Sequence, residues 1–138
     1  MKTIEHFVGG KSFSGESKRV SKAFNPATGE QSSEVKLAST KDINQAVEKA
    51  KKAFEPWANT PPLQRARRIF KFKELIEKNY DELTKIIVAE HGKVYEDARG
   101  SLTRGLEVVE YACGIPQMLK GEFTENVGTN VDSWSIRQ

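Results

Sequence analysis

The stretch STKDINQAVEKAKKAFEPW, residues Ser39–Trp57, is where the sequence changes from strand-like to helical character. Its apolar residues recur at three- and four-residue steps, which places them on one face of a helix. They are Ile43, Ala46, Val47, Ala50, Ala53, Phe54 and Trp57. Ser39 or Thr40 can cap this helix, and Asp42 falls in the first turn, where a carboxylate is favourable. The stretch therefore predicts an amphipathic helix with a defined start.

Residues 1–38, before this helix, predict short hairpin strands joined by turns. The Gly-Gly pair at Gly9 is typical of a hairpin within Phe7–Phe13. A tight turn at Asn25–Gly29 separates a weakly alternating segment, Arg19–Phe24, from a partner strand at Glu34–Leu37. These strands carry little apolar content, so we expect them to lie on something larger.

Residues 39–120 predict three helices. The first ends at Asn59–Pro62, and the second runs to Gly92, where glycine can take a left-handed terminal conformation. About 28 residues is long for a globular helix, so a break near Asn79 is an alternative. The third helix begins near Tyr95 and ends by Pro116 or shortly after. Residues 121–138 predict a loop that leads into a strand around Ser133–Arg137.

Composition excludes several classes of protein. The 138 residues suffice for one domain, and 37% hydrophobic with 30% charged residues is typical of a soluble globular chain. The net charge of +3 comes from interleaved acids and bases, which argues against a nucleic-acid surface. No apolar run approaches the roughly 20 residues of a membrane span. The start MKTIEHFVGGKSF lacks the features of a secretory signal, so we expect a cytoplasmic protein.

No catalytic or metal-binding motif occurs in the sequence. Glycine-rich phosphate loops, H-E-x-x-H and nucleophile elbows are absent, and His6, His91 and Cys113 lack metal-ligand spacing. Glu107 and Glu110 lie three residues apart on one helix. They are compatible either with acid–base chemistry or with a solvated helix edge.

The third predicted helix contains RGLEVVEYACGIPQML, Arg104–Leu119, with the single cysteine of the chain. At about 100° per residue, Cys113 projects with a stripe of apolar residues. That stripe consists of Leu102, Leu106 and Val109. A buried thiol reacts slowly, so we interpret Cys113 as a core residue rather than a nucleophile.

Arg104 points to the opposite side of the same helix, together with Val108, Tyr111 and Ile115. An arginine among apolar residues needs an anionic partner or access to water. Glu107 is one candidate partner. The other is the carboxylate or phosphate of a ligand, which the guanidinium can bind through two hydrogen bonds.

Several motifs together resemble the N-terminal part of the aldehyde dehydrogenase superfamily. They are F-V-G-G-K near the start, N-P-A-T-G-E at Asn25–Glu30, A-x-x-A-F-x-x-W at Ala50–Trp57, R-A-R-R-I at Arg65–Ile69 and E-H-G-K at Glu90–Lys93. The stretch DARGSLTRGLEVVEYAC, Asp97–Cys113, is most similar to the CoA-acylating, methylmalonate-semialdehyde (malonate-semialdehyde) branch of that superfamily.

The resemblance implies a parent α/β fold with a Rossmann-like NAD domain, a catalytic domain and an oligomerisation arm. Residues 39–120 would be three helices of the N-terminal part of the cofactor domain. Residues 121–138 would be a loop and the start of the arm strand. The present chain is then mainly α-helical with short N-terminal β-hairpins and a C-terminal strand.

The chemistry implied by the resemblance is oxidation of methylmalonate or malonate semialdehyde to propionyl- or acetyl-CoA. A thiolate attacks the semialdehyde carbonyl, hydride leaves to NAD, and coenzyme A takes the acyl group. Only Arg104 corresponds to a family site residue, an arginine that binds the substrate carboxylate. A related non-phosphorylating glyceraldehyde-3-phosphate enzyme also places an arginine there. No catalytic, cofactor-binding or metal-binding residue carries over, and we expect neither NAD nor coenzyme A to bind this chain alone.

Three hypotheses follow from the sequence. The first is an N-terminal fragment of a semialdehyde dehydrogenase, inactive by itself, from a homo-oligomeric parent that binds neither nucleic acid nor membranes. The second is a stand-alone helical module for protein interaction or self-association, without catalysis. The third and weakest is a small enzyme that uses Cys113. A fragment would expose apolar faces such as that of Ile43, Val47 and Phe54. We therefore expect association, strand exchange or disorder at the C-terminus.

Overall fold

The fold, seen in a computed structural model that describes residues 2–137, is mainly helical with three small sheets. Its strands are β1 (Lys2–Ile4), β2 (His6–Val8), β3 (Lys11–Phe13), β4 (Val20–Phe24), β5 (Gln31–Lys36), β6 (Glu122–Gly128) and β7 (Val131–Ser135). Its helices are α1 (Thr40–Ala58), α2 (Pro62–Lys78), α3 (Tyr80–His91), α4 (Tyr95–Cys113) and α5 (Ile115–Met118). The fold class expected from the sequence is confirmed.

The described residues form two compact units. The first contains the chain up to Thr60 together with Asp81–Gly100, and the second contains Pro61–Tyr80 together with the chain from Ser101 onward. The first unit therefore holds β1–β5 and α1, and the second holds α2, α5 and the β6–β7 pair.

The N-terminal strands pair largely as predicted. β2 and β3 form an antiparallel hairpin whose turn has positive φ at Gly9 and Gly10. β4 and β5 are antiparallel across the predicted turn. The sequence pattern does not predict β1, which pairs with β5 in parallel and makes the order β1-β5-β4.

The start of α1 is the best-anchored point of the first unit. Ser39 is the N-cap, and its hydroxyl accepts the Asp42 amide while the Asp42 carboxylate accepts the Ser39 amide at 2.8 Å. This reciprocal pair is a capping box with aspartate in place of the usual glutamate. The same carboxylate accepts the amide of Glu16 at 3.0 Å, although Glu16 lies 26 residues earlier. Asp42 is only 4% exposed, so these hydrogen bonds offset the cost of burying its charge.

Gly15 allows the loop before β4 to approach this carboxylate. Its φ is +73°, and a Cβ at this position would lie 2.8 Å from Oδ2 of Asp42. Any other residue would therefore combine backbone strain with a contact that is too short. The loop can donate the Glu16 amide to Asp42 because Gly15 has no side chain.

Two of the predicted segments differ from the observed elements. Residues 39–120 form five helices rather than three, because α2 ends at Lys78, α3 begins at Tyr80, and the short α5 follows α4. The break at Asn79 is the alternative noted from helix length. Residues 122–128, predicted as part of a loop, form β6, which pairs with β7 in an antiparallel hairpin. Gln138, the last residue of the predicted arm strand, lies outside the described residues.

The helix surfaces agree with the predicted exposure of apolar faces. Ile43, Val47 and Phe54 of α1 are 54%, 58% and 72% exposed. The buried apolar residues among those described are Ala66, Ala98 and Cys113. None of the described helices is both long and apolar enough to span a membrane.

Protonation of Asp42 should weaken the fold at acidic pH. The hydrogen bonds from Ser39 hold the pKa of the Asp42 carboxyl below its ordinary value, with the backbone amide contributing most. A lowered folded-state pKa adds stability above the unfolded value, about 3.9, and that stability is lost as pH falls through the folded pKa. We expect Asp42→Asn to remove this part of the pH dependence, measured as thermal midpoints between about pH 2 and 7. Glu48→Gln, on an exposed position of α1, should leave it unchanged, and equal pH profiles for Asp42→Asn and the wild type would contradict the assignment.

The burial of Cys113 predicts slow thiol modification. Because the residue is only 9% exposed, a thiol reagent should label the folded chain far more slowly than the unfolded chain. The matched control is Val108→Cys in a Cys113→Ser background, since Val108 is 68% exposed on the same helix. Rapid, pH-dependent labelling of native Cys113 near neutrality would instead revive the nucleophile hypothesis.

Candidate functional site

Arg104 lies on the exposed face of α4, opposite the side that carries Cys113. Its side chain is exposed, and it shares this face with Val108 and Tyr111, which are 68% and 71% exposed. On the other side, Leu102, Leu106 and Val109 are partly buried, and Cys113 is buried. The helical geometry inferred from the sequence thus separates the thiol from the guanidinium as expected.

The observed contact of Arg104 is with a neutral group. Its Nη2 donates a hydrogen bond to Oγ of Ser101, at 3.2 Å, one turn earlier on α4. Among residues 2–137, no carboxylate lies within ion-pair distance of the guanidinium, and Glu107 is thus not its partner. Sequence reasoning missed Ser101, although its spacing of three residues from Arg104 is typical of helix neighbours.

This surface suits a small anion with an apolar body. Arginine has five N–H donors in a planar fork, and a carboxylate can accept two of them side by side. The apolar side chain of Val108 lies one helical turn after Arg104, and Tyr111 follows on the same face. A carboxylate bound by the guanidinium would thus lie on an exposed face of α4 that also carries apolar side chains.

Glu110 of α4 forms an ion pair with a neighbouring helix. Glu110 is bound by Lys73 of α2 at 3.3 Å, and the same ammonium pairs with Glu77. Hydrogen bonds to Glu77 and then Glu110 raise the pKa of Lys73, so the ammonium stays charged at neutral pH. In the same unit, the Tyr80 hydroxyl and Thr103 Oγ1 are 2.6 Å apart. These contacts tie α4 to its neighbours in the second unit on sides other than that of Arg104.

Of the two histidines, His91 is exposed and His6 lines a crevice in the first unit. His6 lies 6.2 Å from the Phe13 ring, at the edge of a crevice of about 330 Å³ between the β2–β3 hairpin and α1. Its Nε2 is buried without a hydrogen-bond partner, as is Nε of Arg65 in α2. Among residues 2–137, His, Cys, Asp and Glu form no group of three that could hold a metal.

The Gly-Gly pair near the start of the chain lacks the setting of a dinucleotide-binding loop. Gly9 and Gly10 close a hairpin rather than a strand–helix turn. The side chain of Lys49 crosses this turn, 3.2 Å from where a Cβ on Gly9 would lie. The Gly9–Gly10 turn therefore does not form a phosphate cradle.

Comparison with known proteins gives a consistent result. The Aldehyde dehydrogenase family matches residues 13–138. The malonate-semialdehyde dehydrogenase of Pseudomonas aeruginosa is 46% identical over 135 residues, which is 98% of this chain and 27% of that protein. The recognition made from the sequence motifs is confirmed.

Solved structures show the same relationship. The methylmalonate-semialdehyde dehydrogenase of Oceanimonas doudoroffii superposes with a TM-score of 0.91 and 52% identity, covering 99% of this chain and 28% of that one. A protein of Sinorhizobium meliloti 1021, solved with NAD and assigned to the same activity, superposes with a TM-score of 0.93 and 49% identity. The match covers 100% of this chain and 28% of that protein.

The chain thus spans a little more than a quarter of the length of these relatives. The match nevertheless extends over nearly all of its residues and includes α4. The chain belongs to the aldehyde dehydrogenase family.

Proposed function

We propose that this sequence is the N-terminal part of an NAD-dependent, CoA-acylating dehydrogenase of malonate or methylmalonate semialdehyde. The relatives named above carry these substrates in their names, and Asp97–Cys113 resembles that branch of the family. The products would be acetyl- or propionyl-CoA, with the substrate carboxylate lost as carbon dioxide. The observation that carries the proposal is the exposed guanidinium of Arg104 on α4.

Arg104 binds the carboxylate of the substrate. Its open N–H groups can hold that carboxylate bidentately, and the aldehyde end then points in a defined direction from α4. In malonate and methylmalonate semialdehyde a single carbon atom separates the carboxylate from the aldehyde, so holding the carboxylate also places the reacting carbonyl. The contribution of Arg104 is orientation and charge recognition, while the reacting groups belong to other parts of the protein.

By itself the 138-residue chain is inactive in this proposal. Its single thiol, Cys113, is buried on the side of α4 away from Arg104. NAD and coenzyme A act as cosubstrates of the whole enzyme, which we propose to be a cytoplasmic homo-oligomer.

A second candidate function, self-association without catalysis, is favoured by the exposed stripe of α1. Ile43, Val47 and Phe54 would bury their apolar surface if two copies of the chain met along this helix. If the 138-residue chain acts by itself, self-association through this surface is the alternative to a role in catalysis.

Loss of Arg104 should damage turnover of charged substrates selectively. In the full-length enzyme we expect Arg104→Leu to lower kcat/KM for malonate semialdehyde by about 10- to 150-fold, the worth of a charge-assisted hydrogen bond. The loss for propanal, which has no carboxylate, should be small. Steady-state kinetics with both aldehydes checks this. Arg99→Leu removes an arginine that pairs with Glu96 on the same helix and serves as the matched control.

Equal losses on the two aldehydes in Arg104→Leu would count against a carboxylate-binding role. Arg104→Lys should fall between the leucine variant and the wild type, because lysine keeps the charge but cannot present two parallel donors.

Self-association is tested by sedimentation of the 138-residue chain over a range of concentrations. The double variant Val47→Glu, Phe54→Glu places two charges in the stripe and should shift the chain toward monomer. Lys52→Glu, on the opposite side of α1, should not have this effect. A wild-type chain that stays monomeric at every concentration would rule out this second function.

A further inference from the structure

We propose that Ser101 is a positioning residue that holds the guanidinium of Arg104 ready for an anionic substrate; this inference rests on the proposed function. The direct observation is the hydrogen bond from Nη2 of Arg104 to Oγ of Ser101, at 3.2 Å. Nothing in the sequence motifs or in the comparisons assigns a role to Ser101.

The direction of side chains on a helix explains why these two residues meet. Cα–Cβ bonds tilt toward the helix N-terminus, so a long side chain lies over the turn that precedes it. Ser101 occupies that preceding turn, three residues before Arg104 on α4. The arginine can therefore reach back to the serine, and the Nη2–Oγ distance of 3.2 Å shows that it does so.

The hydroxyl group of Ser101 suits it to position Arg104 without neutralising the guanidinium. A carboxylate in place of Ser101 would neutralise the guanidinium and compete with the carboxylate of the substrate. A hydroxyl has no net charge, so it orients the fork while the positive charge stays available. Glu107, the acidic residue nearest in sequence after Arg104, does not form an ion pair with it.

The hydrogen bond to Ser101 also leaves enough N–H donors of Arg104 for a ligand. Five N–H groups surround the guanidinium, and the contact with Ser101 uses one of them. A bidentate carboxylate needs two more. Ser101 is itself partly buried, whereas Arg104 is exposed. The less mobile residue thus restrains the more mobile one, which reduces the side-chain entropy lost when substrate binds.

The test is a set of three variants in the full-length enzyme. Ser101→Ala should raise KM for malonate semialdehyde about three- to tenfold, the worth of one neutral hydrogen bond. Its kcat should stay within about twofold, because the restraint acts equally on bound substrate and transition state. KM for propanal should not change. Ser101→Thr keeps the hydroxyl and should restore KM for the semialdehyde.

Thr103→Ala is the matched control. It removes a hydroxyl from the same helix, but this hydroxyl contacts Tyr80 rather than Arg104. We expect the thermal midpoint to fall without a change in KM that depends on substrate charge. A general loss of helix stability would affect both aldehydes, and substrate selectivity therefore separates positioning from a structural role.

The outcomes distinguish this inference from the proposed function. Equal effects of Arg104→Leu on both aldehydes would overturn the carboxylate-binding role and this inference with it. A selective effect of Arg104→Leu, with KM of Ser101→Ala unchanged or raised equally for both aldehydes, would overturn the role of Ser101 alone. A selective rise in KM for Ser101→Ala that Ser101→Thr reverses would support it.

Discussion

The burial of the Asp42 carboxylate is the constraint on which the first unit depends. A charged group that is 4% exposed must have its hydrogen-bonding capacity filled. The Ser39 amide and hydroxyl and the Glu16 amide all donate to it. One side chain therefore both starts α1 and fixes the loop that leads into β4. The glycine at position 15 follows from the same constraint, because a side chain there would occupy the space that the carboxylate needs.

The second unit depends in a similar way on the two sides of α4. Cys113 is buried on one side, and Glu110 is held by Lys73 of α2. These contacts orient the part of α4 from Ser101 onward within the second unit and leave Arg104 on the exposed side. The candidate site is thus a consequence of packing elsewhere on the helix. Arg104 is exposed there, and its Nη2 donates a hydrogen bond to the neutral hydroxyl of Ser101 rather than to a carboxylate.

Much of this arrangement was predictable because it is encoded locally. Helical periodicity placed Cys113 and Arg104 on opposite sides of α4, and capping chemistry placed the start of α1 at Ser39 or Thr40. The Gly-Gly turn and the end of α3 before Gly92 followed from conformations that glycine alone adopts easily. The α2–α3 boundary and strand β6 differ from the prediction because their local sequence signal is weak. Nothing in the periodicity separates α2 from α3 at one residue, and the exposed, polar strand β6 carries a weak alternation signal.

The sequence by itself determined that the chain is mainly helical, that Cys113 and Arg104 lie on opposite sides of one helix, and that the chain belongs to the aldehyde dehydrogenase family. These features depend on neighbours within a few positions, or on motifs that can be read directly. Only the tertiary structure decided that β1 pairs in parallel with β5, that Glu16 donates to Asp42, and that Lys73 rather than Arg104 binds a glutamate of α4. Each of these joins residues that lie far apart in the chain. Local pattern carries no information about which distant groups meet, because their hydrogen bonds and ion pairs form only after the elements have packed.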